Sequence, residues 1–226
     1  MLRRVVLLCL CGRTHAVTAE GPGYRAGSDL ISGYSSVERR YAEGGSELMA
    51  TAEQLPNEES PRVPLEVYLH CSDWEPDAEY VDGEIEKRPM GQNDHSAWQG
   101  AIAAWFGMYG GEWNIRVRPS LRVRASETRY RIPDVTILDR DLPVEPIVTH
   151  PPVAVFEILS PEDRYARLMR KLRDYEAMGI PQIWVIDPEG PVTQRYQDGQ
   201  LAAASLFEEP SRGIRFEMSA IEALID

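Results

Sequence analysis

The period of the apolar residues changes several times along the chain, and each change marks an element. In NDHSAWQGAIAAWFGMYGG, Trp98, Ile102, Trp105, Phe106 and Tyr109 recur at helical spacing, which predicts a helix that Asn93 or Asp94 can cap and that ends at Gly110-Gly111. In WNIRVRPSLRVRAS the period drops to two: Ile115, Val117, Leu121 and Val123 alternate with Arg116, Arg118, Arg122 and Arg124. The four arginines are then expected on one face of a half-buried strand, with Pro119 implying an edge position or a break. Arg131 to Leu138 reads as a strand carrying Pro133-Asp134. Val153 to Leu159 is apolar except at Glu157, and Gln182 to Asp187 is another buried run, the pattern of strands covered on both faces.

Between those runs, Ser160-Pro161-Glu162-Asp163 offers a cap, a proline at the first helical position and an acid three residues after the cap, so a helix is expected to start there. It should stop at Gly179 and bury Tyr165, Leu168, Leu172 and Tyr175. Upstream, Val63 to Cys71 predicts a short helix, and EYV-DG-EIE predicts a hairpin with a tight primed turn, leaving Glu84 just past it. Downstream, turns at Asp198-Gly199 and Arg212-Gly213 point to a hairpin and a short closing helix. The alternation of strands and helices predicts an α/β (α+β) domain with a mixed central β-sheet flanked by helices.

Length and composition narrow this picture. The 226 residues suffice for one buried core plus a tail. The opening MLRRVVLLCLCGRTHAVTAE imitates a secretory signal, but Arg13 and His15 interrupt the approach to the cleavage-like site at Ala19. Residues 21–48 lack apolar periodicity, and Met49 opens a second, ordinary start. Residues 1–48 are therefore expected to be an upstream extension, disordered or never translated, and 49–226 the folded domain. No stretch approaches the roughly 20 apolar residues that span a bilayer. The three cysteines have no paired spacing, which fits a reducing, cytoplasmic setting. A net charge of -12 speaks against coating nucleic acid, unless part of it is a metal site and the positive charge gathers on one face.

The chemistry centres on Asp134, Glu157 and Lys171, together with Glu84. A carboxylate inside an apolar strand needs a cation, a metal or a strong donor nearby. Two carboxylates with the remaining positions left to water and phosphate suit magnesium. Lys87 and Lys171 are the only lysines among 24 basic residues, so Lys171 stands where arginine was not used. A compact ammonium can orient water or offset developing charge in a way that a guanidinium does not reproduce. Lys171 shares a helix face with Arg164 and could reach back toward Glu157. His95 reads as a capping or surface residue, or as a site residue. The arginine row is either a solvated sheet face or a seat for a phosphate backbone, with Arg164 a further candidate contact to DNA.

The stretches YVDGEI, NDHSAWQG, RIPDVTIL, VFEILSPEDR and KLRDYEAMGIPQIWVIDP, in this order across about residues 64–196, resemble the Uma-two family of restriction endonuclease-like proteins in the PD-(D/E)XK nuclease superfamily. The resemblance implies a restriction endonuclease-like fold and a magnesium-dependent (or manganese-dependent) endonuclease that hydrolyses DNA phosphodiester bonds. It implies that Asp134, Glu157 and the backbone carbonyl of Ile158 hold the metal, that Glu84 assists at its edge, and that Lys171 replaces the lysine usually found two residues after the second acid, here Leu159. Arg167 and Gln182 depart from the acids that relatives carry at those positions. By analogy, cutting two antiparallel strands favours a homodimer. The competing expectation is a catalytically silent scaffold or binding protein on the same fold.

Overall fold

The most apolar runs of the chain lie side by side, because strands without a polar face are stable only when covered on both sides. The computed structural model describes residues 7–10, 13–16, 62–70, 78–88, 91–161, 163–190 and 193–225. The chain divides into two units, Met1–Glu59 and Ser60–Asp226. In the first, β1 (Leu7–Leu10) and β2 (Arg13–Ala16) pair as an antiparallel hairpin. The rest of the expected extension to residue 48 and the second start at Met49 lie outside the described residues.

In the second unit, β9 (Ala154–Ile158) and β10 (Gln182–Ile186) run parallel, and all their residues are buried. Parallel neighbours need a long crossover, supplied here by helix α3 (Tyr165–Met178). Around this pair, β5 (Ile115–Pro119), β8 (Val135–Asp139), β11 (Thr193–Gln197) and β12 (Gln200–Ala203) complete a six-stranded mixed sheet in the order β12-β11-β10-β9-β8-β5. The alternation of strand side chains divides its two faces. Phe156, Ile158, Trp184 and Ile186 face a core with helix α2 (Asn93–Met108), joined by the hairpin β13 (Leu206–Glu209) and β14 (Ile214–Glu217) and by α4 (Ser219–Glu222). Val155, Ile183 and Val185 face α3 through Leu168, Met169, Leu172 and Tyr175. Glu157 is in phase with Val155 and so turns toward α3.

A smaller antiparallel sheet has the order β4-β3-β7-β6, from β3 (Glu79–Val81), β4 (Glu84–Glu86), β6 (Val123–Arg124) and β7 (Arg129–Arg131). Its β3–β4 turn holds Asp82 at φ 52° and Gly83 at φ 98°, the left-handed pair that a primed turn requires. The short α1 (Leu65–His70) packs Tyr68 on Tyr80 and Tyr130. No helix among the described residues is long and apolar enough to cross a membrane.

Four local expectations are corrected. The run Arg131 to Leu138 is two strands in two sheets, split at Ile132-Pro133-Asp134 where proline supplies no ladder donor. The arginine row is divided the same way, since Pro119-Ser120 ends β5 and the chain re-forms as β6 in the other sheet. Helix α2 is capped at Gln92, without a side-chain cap from Asn93 or Asp94. Helix α3 begins at Tyr165 rather than at Ser160: the Asp163 carboxylate accepts the Ser160 N–H at 2.8 Å, closing a separate turn ahead of the helix, and Glu162 lies outside the described residues. Tyr165 accordingly stands 70% exposed instead of joining the buried stripe.

Arg131, fully buried, ties the small sheet to α3. It donates to Glu79 at 2.9 Å, to Glu86 at 3.0 Å and, through Nε, to Asp174 at 2.8 Å. Arg129 bridges Asp174 and Asp82, at 2.7 Å each. Burial pushes the Glu79 carboxyl up, but Lys171 and Arg131 beside it prevail and hold it at about 2. Removing one partner of such a network strands the others in a poorly solvated interior. Arg131→Met should therefore lower unfolding free energy by about 3–5 kcal/mol in urea titration, against less than about 1 kcal/mol for Arg215→Ala at an exposed pair. Glu79 binds its proton less tightly folded than unfolded, so its contribution is complete above about 4.5 and is lost as pH falls toward about 2. Stability measured across that window should decline, and Glu79→Gln should flatten the decline.

Candidate active site

Helix α3 presents Leu168, Lys171, Leu172 and Tyr175 to the sheet at intervals of three and four, so the apolar stripe places the amine. Lys171 Nζ donates to Glu157 Oε2 at 2.7 Å, lies 2.8 Å from Glu79 Oε1, and donates to the Ile132 carbonyl at 3.0 Å. Three protein oxygens therefore surround the ammonium. Tyr175, one turn further, donates its hydroxyl to the other oxygen of Glu157 at 2.6 Å.

Asp134 arrives from the break between β7 and β8. Its Oδ2 accepts the Ile158 N–H at 2.7 Å, which fastens it to the end of β9. Its Oδ1 meets the Arg88 guanidinium and lies 3.4 Å from His95 Nε2. Its backbone carbonyl accepts from Gln99 at 2.9 Å and from the Ser120 N–H at 3.1 Å, so α2 supports it through both Gln99 and His95.

Asp134, Glu157, Ile158, Lys171, Arg88 and His95 line one small cavity of about 40 Å³, with Leu159, Ser160, Asp163, Arg167 and Leu168 completing the wall. That is room for an ion with few waters rather than for an organic cofactor. Burial raises the Glu157 carboxyl, and although Lys171 opposes this, Asp134 and Glu79 add to it, so it is pushed up to about 7. Burial acts on Asp134 in the same direction, but the hydrogen bond from His95 and the charges of Arg88 and Lys171 outweigh it and hold Asp134 low. Burial would lower Lys171, yet Glu157 and Glu79 raise it, so it stays an ammonium.

Of the residues singled out from the sequence, Asp134, Glu157, Ile158, Lys171 and His95 all line this cavity. Glu84 does not: it is exposed beside the hairpin turn, while Glu79 at the other end of that hairpin touches Lys171. Nor do the strand arginines. Arg116 donates to the carbonyls of Leu142 and Arg140, Arg122 lies over the Tyr68 ring at 4.6 Å, and Arg118 and Arg124 are exposed on different sheets. Arg164 is exposed at the start of α3. Glu79, Arg88 and Tyr175 were not anticipated. Tyr175 was legible only as core, and Glu79 and Arg88 carry no local pattern that separates them from surface charge.

A magnesium ion fits the donor chemistry. Among the described residues no group of three or more His, Cys, Asp or Glu is placed to hold a metal. An ion here would rest on Asp134, Glu157 and the Ile158 carbonyl, with water for the rest, a sparse oxygen set that suits magnesium and not zinc. Arg88 would have to leave Asp134 Oδ1 to admit the ion.

No curated protein matches the chain in sequence. Among solved structures, a "putative nuclease belonging to DUF820" from Anabaena variabilis superposes with a TM-score of 0.62 at 21% identity, covering 73% of this chain and 99% of that one. The likeness shows a shared fold. A DrdV–DNA complex superposes with a TM-score of only 0.33 at 16% identity, over 56% of this chain and 11% of that one. The model of the Uma2 family, described as "Putative restriction endonuclease", matches residues 65–216. With two thirds of its length matched, the chain belongs to the Uma2 family of restriction endonuclease-like proteins.

Proposed function

We propose that this protein is a DNA endonuclease that hydrolyses phosphodiester bonds with the help of a divalent metal, magnesium or manganese, and that cuts duplex DNA as a homodimer. The observation that carries the reading is the meeting of Asp134, Glu157 and Lys171 in one cavity from three separate elements. Family membership supports the reaction class. Bound by Asp134, Glu157 and the Ile158 carbonyl, the metal would polarise the phosphate and lower the pKa of a water.

The chain's own groups set the rest. Lys171 and Tyr175 hold Glu157 from its two oxygens, and the Ile158 N–H holds Asp134, so the two acids are oriented before any ligand arrives. Orienting the attacking water would require Lys171 to yield one of its three partners, the Ile132 carbonyl being the uncharged one. Arg88 adds a positive charge to the wall of the same cavity. Lys171 also has a structural part, as the cation between Glu79 and Glu157. Its loss leaves Glu79 and Glu157 without their shared cation, so it perturbs the fold as well as the chemistry.

The second reading, a silent scaffold, draws on a specific observation: both acids are already answered from within the chain, by Arg88, Lys171 and Tyr175, and Leu159 stands at the usual lysine position.

Incubation of the full chain with plasmid and linear DNA should give cleavage in magnesium or manganese and none in chelator. Asp134→Asn and Glu157→Gln should each cut about a hundredfold more slowly or worse, with unchanged circular dichroism. Cleavage that persists in both variants removes the assignment. Calorimetry with manganese alone should show a binding isotherm that Asp134→Asn abolishes; no heat from the wild-type chain favours the scaffold.

A further inference from the structure

The densest positive charge of the molecule lies on a helix rather than on the strands where it was expected. Arg164 to Arg173 contains four arginines and Lys171 and no acid, within a chain of net charge -12. Lys171 turns inward to the cavity, but Arg164, Arg170 and Arg173 are exposed, and with Arg167 they line an open groove that also takes in Tyr165. Arg167 lines this groove and the cavity of Asp134 and Glu157 alike, so the two share a wall. Glu86 takes a hydrogen bond from Arg170 at 3.0 Å and lies 3.3 Å from Arg167, which leaves Arg164 and Arg173 as the positive ends of the row. Nine residues separate those ends, a rise of roughly 14 Å at 1.5 Å per residue, and each step of three residues turns the row by about 60° around the axis.

We propose that the exposed arginine row of α3 is the track for a nucleic-acid phosphate backbone, which it leads away from the cavity past Arg167. Tyr165, 70% exposed at the head of the row, offers a stacking face to a base. The strand arginines form no such row, being split between two sheets. The identity of the reaction in the cavity rests on the nuclease reading, but binding along α3 is measured separately from it.

The test is fluorescence anisotropy of the full chain with labelled duplex and single-stranded DNA, in calcium and in chelator, over a series of salt concentrations. Joint substitution Arg164→Ala, Arg170→Ala and Arg173→Ala should weaken binding about tenfold or more at low salt and reduce the slope of log Kd against log salt by about two to three. The matching triple change to lysine should restore most of the slope, which a merely misfolded helix would not. Tyr165→Ala should weaken single-strand binding by about fivefold or more. Unchanged affinity and slope in the triple alanine variant overturn the proposal, as does an equal loss on changing Arg118 and Arg124 with none on α3, or no DNA binding by the wild-type chain. Loss of slope in a protein that cuts nothing in magnesium supports the row and removes the nuclease reading. Normal cutting with undiminished affinity in the triple alanine variant removes the row and leaves that reading standing.

Discussion

One carboxylate at the centre of the sheet governs the arrangement around it. Glu157 is in phase with Val155 on β9, so it faces α3 with no water to solvate it, and an ionised acid there is tolerated only if donors come to it. Lys171 and Tyr175 come from α3. Lys171 in turn lies beside Glu79, Glu79 takes Arg131, and Arg131 takes Asp174 and Glu86. The charges alternate outward from the strand until they reach the surface, and in doing so they bind the small sheet, the helix and the large sheet together.

That chain of consequences explains which parts of the site could be read in the sequence. Glu157 was visible because it violates the pattern of its own strand, and Lys171 because lysine is so rare in this chain. Asp134 was visible through its place in the family order. Glu79 and Arg131 were not, since both sit in short strands where charge is unremarkable until tertiary pairing buries it. The period of two in the arginine stretch was real, but it continued across Pro119-Ser120 while the backbone changed sheets, so a shared phase did not give a shared face. The start of α3 misled for a related reason: the serine, proline and acids of a helix start also suit the closed turn that Asp163 makes with Ser160.

The same network bears on the acidic net charge. Glu79, Asp134, Glu157 and Asp174 are buried and answered internally by Arg88, Arg129, Arg131 and Lys171, so they add little to the field outside. What a long polyanion would meet depends on which charges reach solvent, and between Arg164 and Arg173 those are arginines.

Anchoring the amine on α3 also frees the strand. Fourteen residues separate Glu157 from Lys171, and the position two beyond Glu157 is left to Leu159, which becomes part of the cavity wall. A search keyed to acid and lysine side by side on one strand would pass this chain over. The signature of this pairing is instead a lone acid in an apolar strand followed, on the crossover helix, by a lysine in that helix's buried stripe, a pairing that the length of the loop between them does not fix.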